Sequence, residues 1–132
     1  MTMAQIRTMM TYWHDRRRLW TVMAAIAAVA IAVGSLTPGS DMPSNLPWDK
    51  FNHFVGYAGL AGLVGLAGVR LSLTLVLVVL YGIAIEYAQI PVPDRSGGDW
   101  LDIFANSLGA TSAVAVLYLF RRGFLGRGDE TE

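Results

Sequence analysis

The sequence has 132 residues, of which 54% are hydrophobic and 15% charged, with equal numbers of acidic and basic side chains and no cysteine. This composition is too apolar for an ordinary soluble domain and indicates a membrane protein. A neutral sequence without a basic face interleaved with aromatic residues gives no reason to expect nucleic acid as a partner. The lack of cysteine in it excludes disulfide scaffolds, thiolate metal sites and cysteine nucleophiles.

Four apolar segments follow one another along the chain, each close to the roughly 20 residues that a helix needs to cross a hydrocarbon core of ~30 Å. Lipid cannot satisfy exposed backbone groups, and the segments lack the alternation of barrel strands. We therefore predict an all-α, polytopic membrane protein: a bundle of four transmembrane helices over residues 19–120, between a basic N-terminal segment (1–18) and a C-terminal tail (121–132). The segments are Leu19–Leu36, Phe54–Val69, Leu71–Ile90 and Leu101–Phe120.

The basic residues predict the orientation of these helices, since cytoplasmic loops carry an excess of lysine and arginine. Lys50 and Arg95 lie in the loops 37–53 and 91–100, which we expect outside. The other basic residues lie on the side of the two termini, which are predicted to be cytoplasmic, in a multi-pass protein of the cytoplasmic (inner) membrane. These residues are Arg7, Arg16, Arg17, Arg18, Arg70, Arg121, Arg122 and Arg127.

Two further features accompany this topology. Trp48 and Trp100 are expected to anchor the outer interface. Residues 1–35 also combine a basic region with an apolar run that ends in small residues, a pattern typical of a signal peptide. Cleavage of such a peptide would leave the loop assignments unchanged.

The second segment carries a glycine at every third position. Small residues allow helix backbones to approach closely in lipid, where packing drives association. We therefore predict that this helix lies inside the bundle; a hinge or a groove that faces a ligand is the alternative. The glycines are Gly56, Gly59, Gly62, Gly65 and Gly68.

Polar residues recur at helical spacing on three segments, near their predicted outer ends. Residues three or four apart share one helix face, so each set is expected to present a single polar face, and the three faces are predicted to converge at the outer leaflet. Buried charges in membranes usually pair; we expect Arg95 to reach Glu86 or Asp102, and Lys50 to contact another member. The sets are Asp49, His53 and Tyr57; Glu86 and Gln89; and Asp99, Asp102 and Asn106.

Several readings of these residues remain open. They are either mutual contacts that hold the helices in register or a ligand site. A metal site built from His53, Glu86, Asp99 and Asp102 lacks a tight ligand spacing, so no metal and no cofactor is predicted. The SGG at 96–98 lacks the context of a phosphate loop and is expected to shape the turn before the fourth segment, with Asp99 as its N-cap.

Three motifs together resemble the VanZ-like family, named for a component associated with low-level teicoplanin resistance. They are DKFNHFVGYAGL, IEYAQ and DRSGGDWLDIFANSLGA, within residues 47–115, and they contain the polar residues above with Lys50, Arg95 and Gly109. The resemblance implies a small helical membrane protein of the bacterial envelope, without a defined activity. Pro91 and Pro93 depart from the family's pattern and make the position of Arg95 harder to predict.

Three functions compete. The first is a binding or transport-like protein whose outer pocket holds an anionic headgroup, such as a lipid-linked cell-wall precursor, with phosphate at Lys50 and Arg95. The second is an enzyme that acts on a lipid or cell-wall precursor, with His53, Glu86 or Asp102 as acid or base. The third is a structural partner of another membrane protein or of a second copy. The lack of an identifiable nucleophile favours the first.

Overall fold

The computed structural model describes residues 1–45 and 49–126, and within these ranges all regular structure is helical. A 3₁₀ turn, Gly39–Asp41, follows the second helix, and a π-helical turn, Arg121–Leu125, follows the fifth. Trp48 and Arg127 lie outside the described residues. The five helices are α1 (Met3–His14), α2 (Arg17–Leu36), α3 (Asp49–Leu66), α4 (Leu71–Ala88) and α5 (Trp100–Phe120).

Among the described residues, three helical stretches are long and apolar enough to cross a membrane, which indicates a membrane protein: Arg17–Leu36, Leu71–Ala88 and Trp100–Leu125. The outward face of α2 is a stripe of branched apolar side chains at helical spacing, such as Val22, Ile26 and Val29, each more than half exposed. A stripe of this kind suits contact with lipid. Helix α3 begins with a polar turn and is not one of the three stretches.

Helix α3 lies at the centre of the bundle, packed most extensively against α5 and also against α2 and α4. The buried core joins Tyr57, Leu60 and Ala61 of α3 to Val78 of α4 and Ala110 of α5. This agrees with the interior position that the glycine pattern predicts for the second segment.

Contacts at the helix ends fix the relative directions of the helices. Lys50, at the start of α3, contacts Asp99, at the start of α5, whereas Gln89, after α4, donates a hydrogen bond to the Ser35 carbonyl near the end of α2. We call this the cluster end. At the opposite end Arg121 donates to the Gly65 carbonyl; because arginines gather there, we call it the arginine end. Helices α3 and α5 therefore run parallel to each other and antiparallel to α2 and α4.

One close approach between the backbones of two helices involves a glycine outside the regular pattern. A Cβ atom added at Gly109 of α5 would overlap the carbonyl oxygen of Phe54 in α3. By contrast, a Cβ at Gly59 or Gly62 would meet nothing within 4 Å. The pattern thus marks the central helix, but not every glycine in it serves close packing.

The N-terminal segment 1–18 contains a helix that the sequence analysis does not predict. Thr2 and Gln5 form a reciprocal capping box at the start of α1. Near its end, His14 Nε2 accepts a hydrogen bond from Arg121 Nε at 3.0 Å. Helix α1 therefore meets the arginine end of the bundle.

Candidate functional site

The predicted polar faces converge at the cluster end. Helix α3 supplies Asp49, Lys50, His53 and Tyr57 from its first turns, α4 supplies Glu86 and the following Gln89 from its end, and α5 supplies Asp102 and Asn106, with Asp99 as its N-cap. We call these nine residues the polar cluster. The polar cluster extends into the interior of the bundle, because four of its members are buried: Glu86, Gln89, Asp102 and Asn106.

Lys50 joins α3 to α5 through two carboxylates. Its Nζ lies 3.1 Å from Asp99 Oδ2 and also donates to Asp102 Oδ1. The hydrogen bond from the ammonium lowers the pKa of the Asp99 carboxyl below its ordinary value. The prediction that Lys50 pairs within the cluster is confirmed, and its charge is balanced there.

Asp99 and Glu86 join α5 to α4. The Asp99 side chain caps α5 by accepting from the backbone N–H of Leu101 at 2.9 Å, as predicted. The Asp99 backbone N–H in turn donates to Glu86 Oε2 at 3.1 Å. Glu86 is fully buried, so its carboxylate holds the start of α5 from inside the bundle.

His53 is oriented by Asn106. Its Nδ1 lies 2.8 Å from Asn106 Oδ1. A carboxamide oxygen can only accept, so Nδ1 carries the proton in this arrangement. The other ring nitrogen, Nε2, faces two carboxylate oxygens, at 3.5 Å from Asp102 Oδ2 and 3.7 Å from Asp49 Oδ1.

Three buried polar atoms have no hydrogen-bond partner among the described residues: the Tyr57 hydroxyl, Glu86 Oε1 and Asn106 Nδ2. A Cβ added at Gly82 would lie 3.0 Å from Tyr57 Cε1 and 3.1 Å from Asn106 Nδ2. Gly82 therefore lets Tyr57 and Asn106 lie against α4, one turn before Glu86. Buried polar groups are nearly always paired in a folded protein, which marks this region as more than a packing interface.

The prediction that Arg95 reaches Glu86 or Asp102 is wrong. Its Nε donates to the Thr37 carbonyl at 2.9 Å, and its Nη2 donates to the Gly34 carbonyl at 2.6 Å. The physical reason is the loop that contains Pro91 and Pro93. The Pro93 carbonyl accepts from the Gly39 backbone N–H at 3.1 Å, which holds the loop against the end of α2.

The end of a helix attracts a cation because its last carbonyls lack partners within the helix and carry the negative end of the dipole. Arg95 occupies such a position at α2. Within residues 1–45 and 49–126, no ion pair joins Arg95 to a carboxylate. Its positive charge is therefore anchored by neutral groups.

A cavity of about 250 Å³ opens between α2, α3 and the loop after α4. Half of the ten predicted ligand residues line it, namely Asp49, His53, Tyr57, Gln89 and Arg95. Lys50, Glu86, Asp99, Asp102 and Asn106 lie instead in the contacts between α3, α4 and α5 described above. The remaining lining residues are Ala30, Ile31, Gly34, Ser35, Met42, Asn52 and Gly56.

The sequence analysis misses the contribution of α2. Its last turn supplies the carbonyls that anchor Arg95 and Gln89, and backbone groups leave no signal in a residue pattern. Asn52 was also missed, although it lies three residues after Asp49 and so shares the predicted face of α3. Trp100 is exposed at the cluster end, as an interfacial anchor would be.

Comparisons with protein-family models, with curated proteins and with solved structures find no match to this chain.

Proposed function

We propose that this chain is a VanZ-like protein of the bacterial cytoplasmic membrane, in which α2–α5 all span the bilayer and the cavity at the cluster end binds the anionic headgroup of a lipid at the outer leaflet. A lipid-linked cell-wall precursor is the favoured ligand. The observation that carries the proposal is Arg95, a cation that lines the cavity and has no carboxylate partner within the described residues.

The geometry of Arg95 suits an anion. A guanidinium has five N–H donors in a planar fork that matches phosphate and carboxylate. The carbonyls of Gly34 in α2 and of its C-cap residue Thr37 hold two of these donors and leave the others for a ligand. Because the side chain is already fixed, little conformational entropy would be lost on binding.

Arg95 replaces Lys50 as the main contact for phosphate. Asp99 and Asp102 already balance the Lys50 charge. Gln89, which also donates to α2, is a neutral neighbour of Arg95 in the cavity wall.

Two observations support the four-span topology. Helix α3 has 18 residues and so a length of about 27 Å at 1.5 Å per residue, near the thickness of the hydrocarbon core. Its polar first turn contacts carboxylates of α5 and its N-cap, so α3 could span the bilayer without leaving these side chains unpaired in lipid. Arg17, Arg70 and Arg121 all lie towards the arginine end, which agrees with a cytoplasmic position for that end.

Analysis of co-purified lipid tests the proposal. Protein is purified in mild detergent, and its bound lipids are quantified by mass spectrometry for the wild type, for Arg95→Gln and for Arg70→Gln. Arg70 is an exposed arginine at the opposite end and serves as the matched control. We expect an anionic lipid at about one per chain, reduced roughly tenfold or more in Arg95→Gln and unchanged in Arg70→Gln.

Equal retention by both variants would contradict the proposal. Because Arg95→Gln also loses contacts to α2, Arg95→Lys provides a second comparison that keeps the charge. If Arg95→Lys is folded and retains the lipid while Arg95→Gln is folded and does not, the charge is responsible. In cells, the same Arg95→Gln change should remove any increase in teicoplanin tolerance that expression of the wild type produces.

The second candidate is an enzyme, favoured by the contact between His53 and Asp102. A carboxylate beside an imidazole that faces a cavity is an arrangement suited to general acid–base chemistry. Glu86 does not line the cavity and is less suited to that role. Turnover of a purified lipid substrate that is lost in His53→Gln, with lipid binding retained, would establish this function.

A further inference from the structure

The charges around the cavity are unbalanced. The polar cluster contains four carboxyl groups, from Asp49, Glu86, Asp99 and Asp102, and one lysine. Arg95 donates its hydrogen bonds to carbonyls at the end of α2. Within the described residues, its positive charge is therefore not paired with any of these carboxylates. The wall formed by Asp49 and His53 would therefore repel an anion unless a further cation were bound there.

We propose that Asp49 Oδ1, His53 Nε2 and Asp102 Oδ2 bind a divalent transition-metal cation of the zinc class. The three residues offer ligand atoms that all lie within 4.8 Å of one another. One imidazole nitrogen with two carboxylate oxygens is a ligand set suited to such a metal. The sequence analysis considered a metal site that included His53 and Asp102 but not Asp49, and it predicted no metal because the residues lack a tight ligand spacing.

The distances fit a metal geometry. Ligand bonds of 2.0–2.2 Å in a tetrahedral site place neighbouring ligand atoms about 3.3–3.6 Å apart. His53 Nε2 lies 3.5 Å from Asp102 Oδ2 and 3.7 Å from Asp49 Oδ1. The ligand oxygens of Asp49 and Asp102 lie within 4.8 Å of each other, so side-chain rotation would have to bring these two closer to complete the site.

The tautomer of His53 provides an independent reason for a cation. With the Nδ1 proton directed at Asn106 Oδ1, Nε2 of a neutral ring would point its lone pair towards the two carboxylates. Three acceptors that face one another repel unless a positive charge lies between them. Asp102 is only 2% exposed, so water screens this repulsion poorly.

The surrounding contacts match those that support a metal ligand. Ligating histidines usually donate their second ring N–H to an oxygen acceptor, and ligating carboxylates are themselves hydrogen-bonded. Asn106 meets the first condition for His53. Lys50 supplies the hydrogen bond to the carboxylate, because it donates to Asp102 Oδ1. The other oxygen, Oδ2, faces His53.

The site would have an open position towards the cavity, because Asp49 and His53 both line it. A three-residue site leaves the fourth tetrahedral position for another ligand. If the proposed function holds, on which this step rests, the metal and Arg95 would contact one phosphate group from two sides. Metal binding itself does not require the lipid.

Calorimetric titration with Zn²⁺ tests the site on the delipidated chain, purified without a histidine tag and freed of metal by a chelator. We expect one Zn²⁺ per chain, with binding weakened roughly tenfold or more in Asp49→Asn and in His53→Gln. Asp49 is 56% exposed at its side chain, so its substitution should leave the fold intact. Melting temperatures without metal check this for each variant.

Two matched controls accompany these variants. His14→Gln removes the other histidine, at the arginine end, and Asp94→Asn removes a carboxylate from the cluster end that lies outside the proposed ligands. Both should bind Zn²⁺ as the wild type does. Lack of binding by the folded wild type, or equal binding by His53→Gln, would overturn the proposal. Because no lipid is added, the outcome is independent of the test of Arg95.

Discussion

The two ends of the bundle are built differently, although the same helices form both. At the cluster end α3 and α5 meet backbone to backbone at Phe54 and Gly109, and charged side chains contact one another. At the arginine end leucine side chains separate the helices, and Arg121 contacts the Gly65 carbonyl and His14. The difference indicates a closely packed end held by paired charges and a more loosely packed end that is rich in arginine.

Removal of the Lys50 charge should have the largest effect on stability. Lys50→Met leaves Asp102, with a side chain 3% exposed, without its ammonium partner. Loss of one member of a buried pair is strongly destabilising, and we expect a decrease of about 3 kcal/mol in the free energy of unfolding. Unfolding in mixed micelles of mild detergent and SDS measures it.

Two further variants show whether the pair explains this loss. The double variant Lys50→Met with Asp102→Leu removes both charges and should recover most of the stability. Arg70→Met removes an exposed charge from the arginine end and should change stability by less than about 0.5 kcal/mol. Equal losses in Lys50→Met and Arg70→Met would mean that the two ends do not differ as described.

A matched pair of glycines tests the difference in packing. Gly109→Ala places a methyl group against the backbone of Phe54, which cannot yield without moving α3, and should cost about 2 kcal/mol. Gly65→Ala meets the tip of Leu117 at 2.6 Å, a flexible side chain that can rotate away, and should cost under about 1 kcal/mol. The same unfolding assay compares them, and a larger loss in Gly65→Ala would reverse the assignment of the closely packed end.

Acid should weaken the cluster end through a smaller effect at Asp99. The hydrogen bond from Lys50 lowers the pKa of Asp99 from its ordinary value of 3.8. A carboxyl whose pKa is depressed by folding stabilises the protein above the unfolded value, and that stabilisation is lost as pH falls below about 4 towards the folded pKa. The melting temperature of the wild type should therefore fall more steeply below pH 4 than that of Asp99→Asn.

Asp99→Asn is a useful comparison because asparagine keeps an oxygen that can cap α5 but has no titrating carboxyl. The two proteins should therefore differ mainly in how their stability depends on pH. Parallel acid profiles would show that the Lys50 contact does not favour the ionised form of Asp99.

The sequence predicted the polar cluster well because its information lies in helical spacing. Intervals of three and four place Asp49 with His53, and Asp102 with Asn106, wherever the helices pack. The N-cap at Asp99 was predictable for a similar reason, since a capping side chain acts on its own next turn. The central position of α3 followed from its small residues.

The parts that the sequence did not predict depend on backbone groups and on contacts between distant segments. Arg95 binds backbone carbonyls at the end of α2. Any residue could supply such a carbonyl, so no pattern of side chains predicts the contact. Gly109 is one glycine among many, and only the position of Phe54 gives it a role. The Asp49, His53 and Asp102 set needs the parallel packing of α3 and α5 before its atoms meet.

The membrane position of the cluster end decides whether its cavity can serve an outer-leaflet lipid, and cysteine labelling measures this directly. The chain has no cysteine, so Ser96→Cys at the cluster end and Thr8→Cys on α1 each introduce one exposed thiol. The reagent is a membrane-impermeant maleimide, and the bacterial cells are made permeable at the outer membrane only, with the cytoplasmic membrane intact. We expect Ser96→Cys to react with it in these cells and Thr8→Cys to react only after lysis. Labelling of Thr8→Cys on intact cells, with Ser96→Cys protected until lysis, would contradict the account.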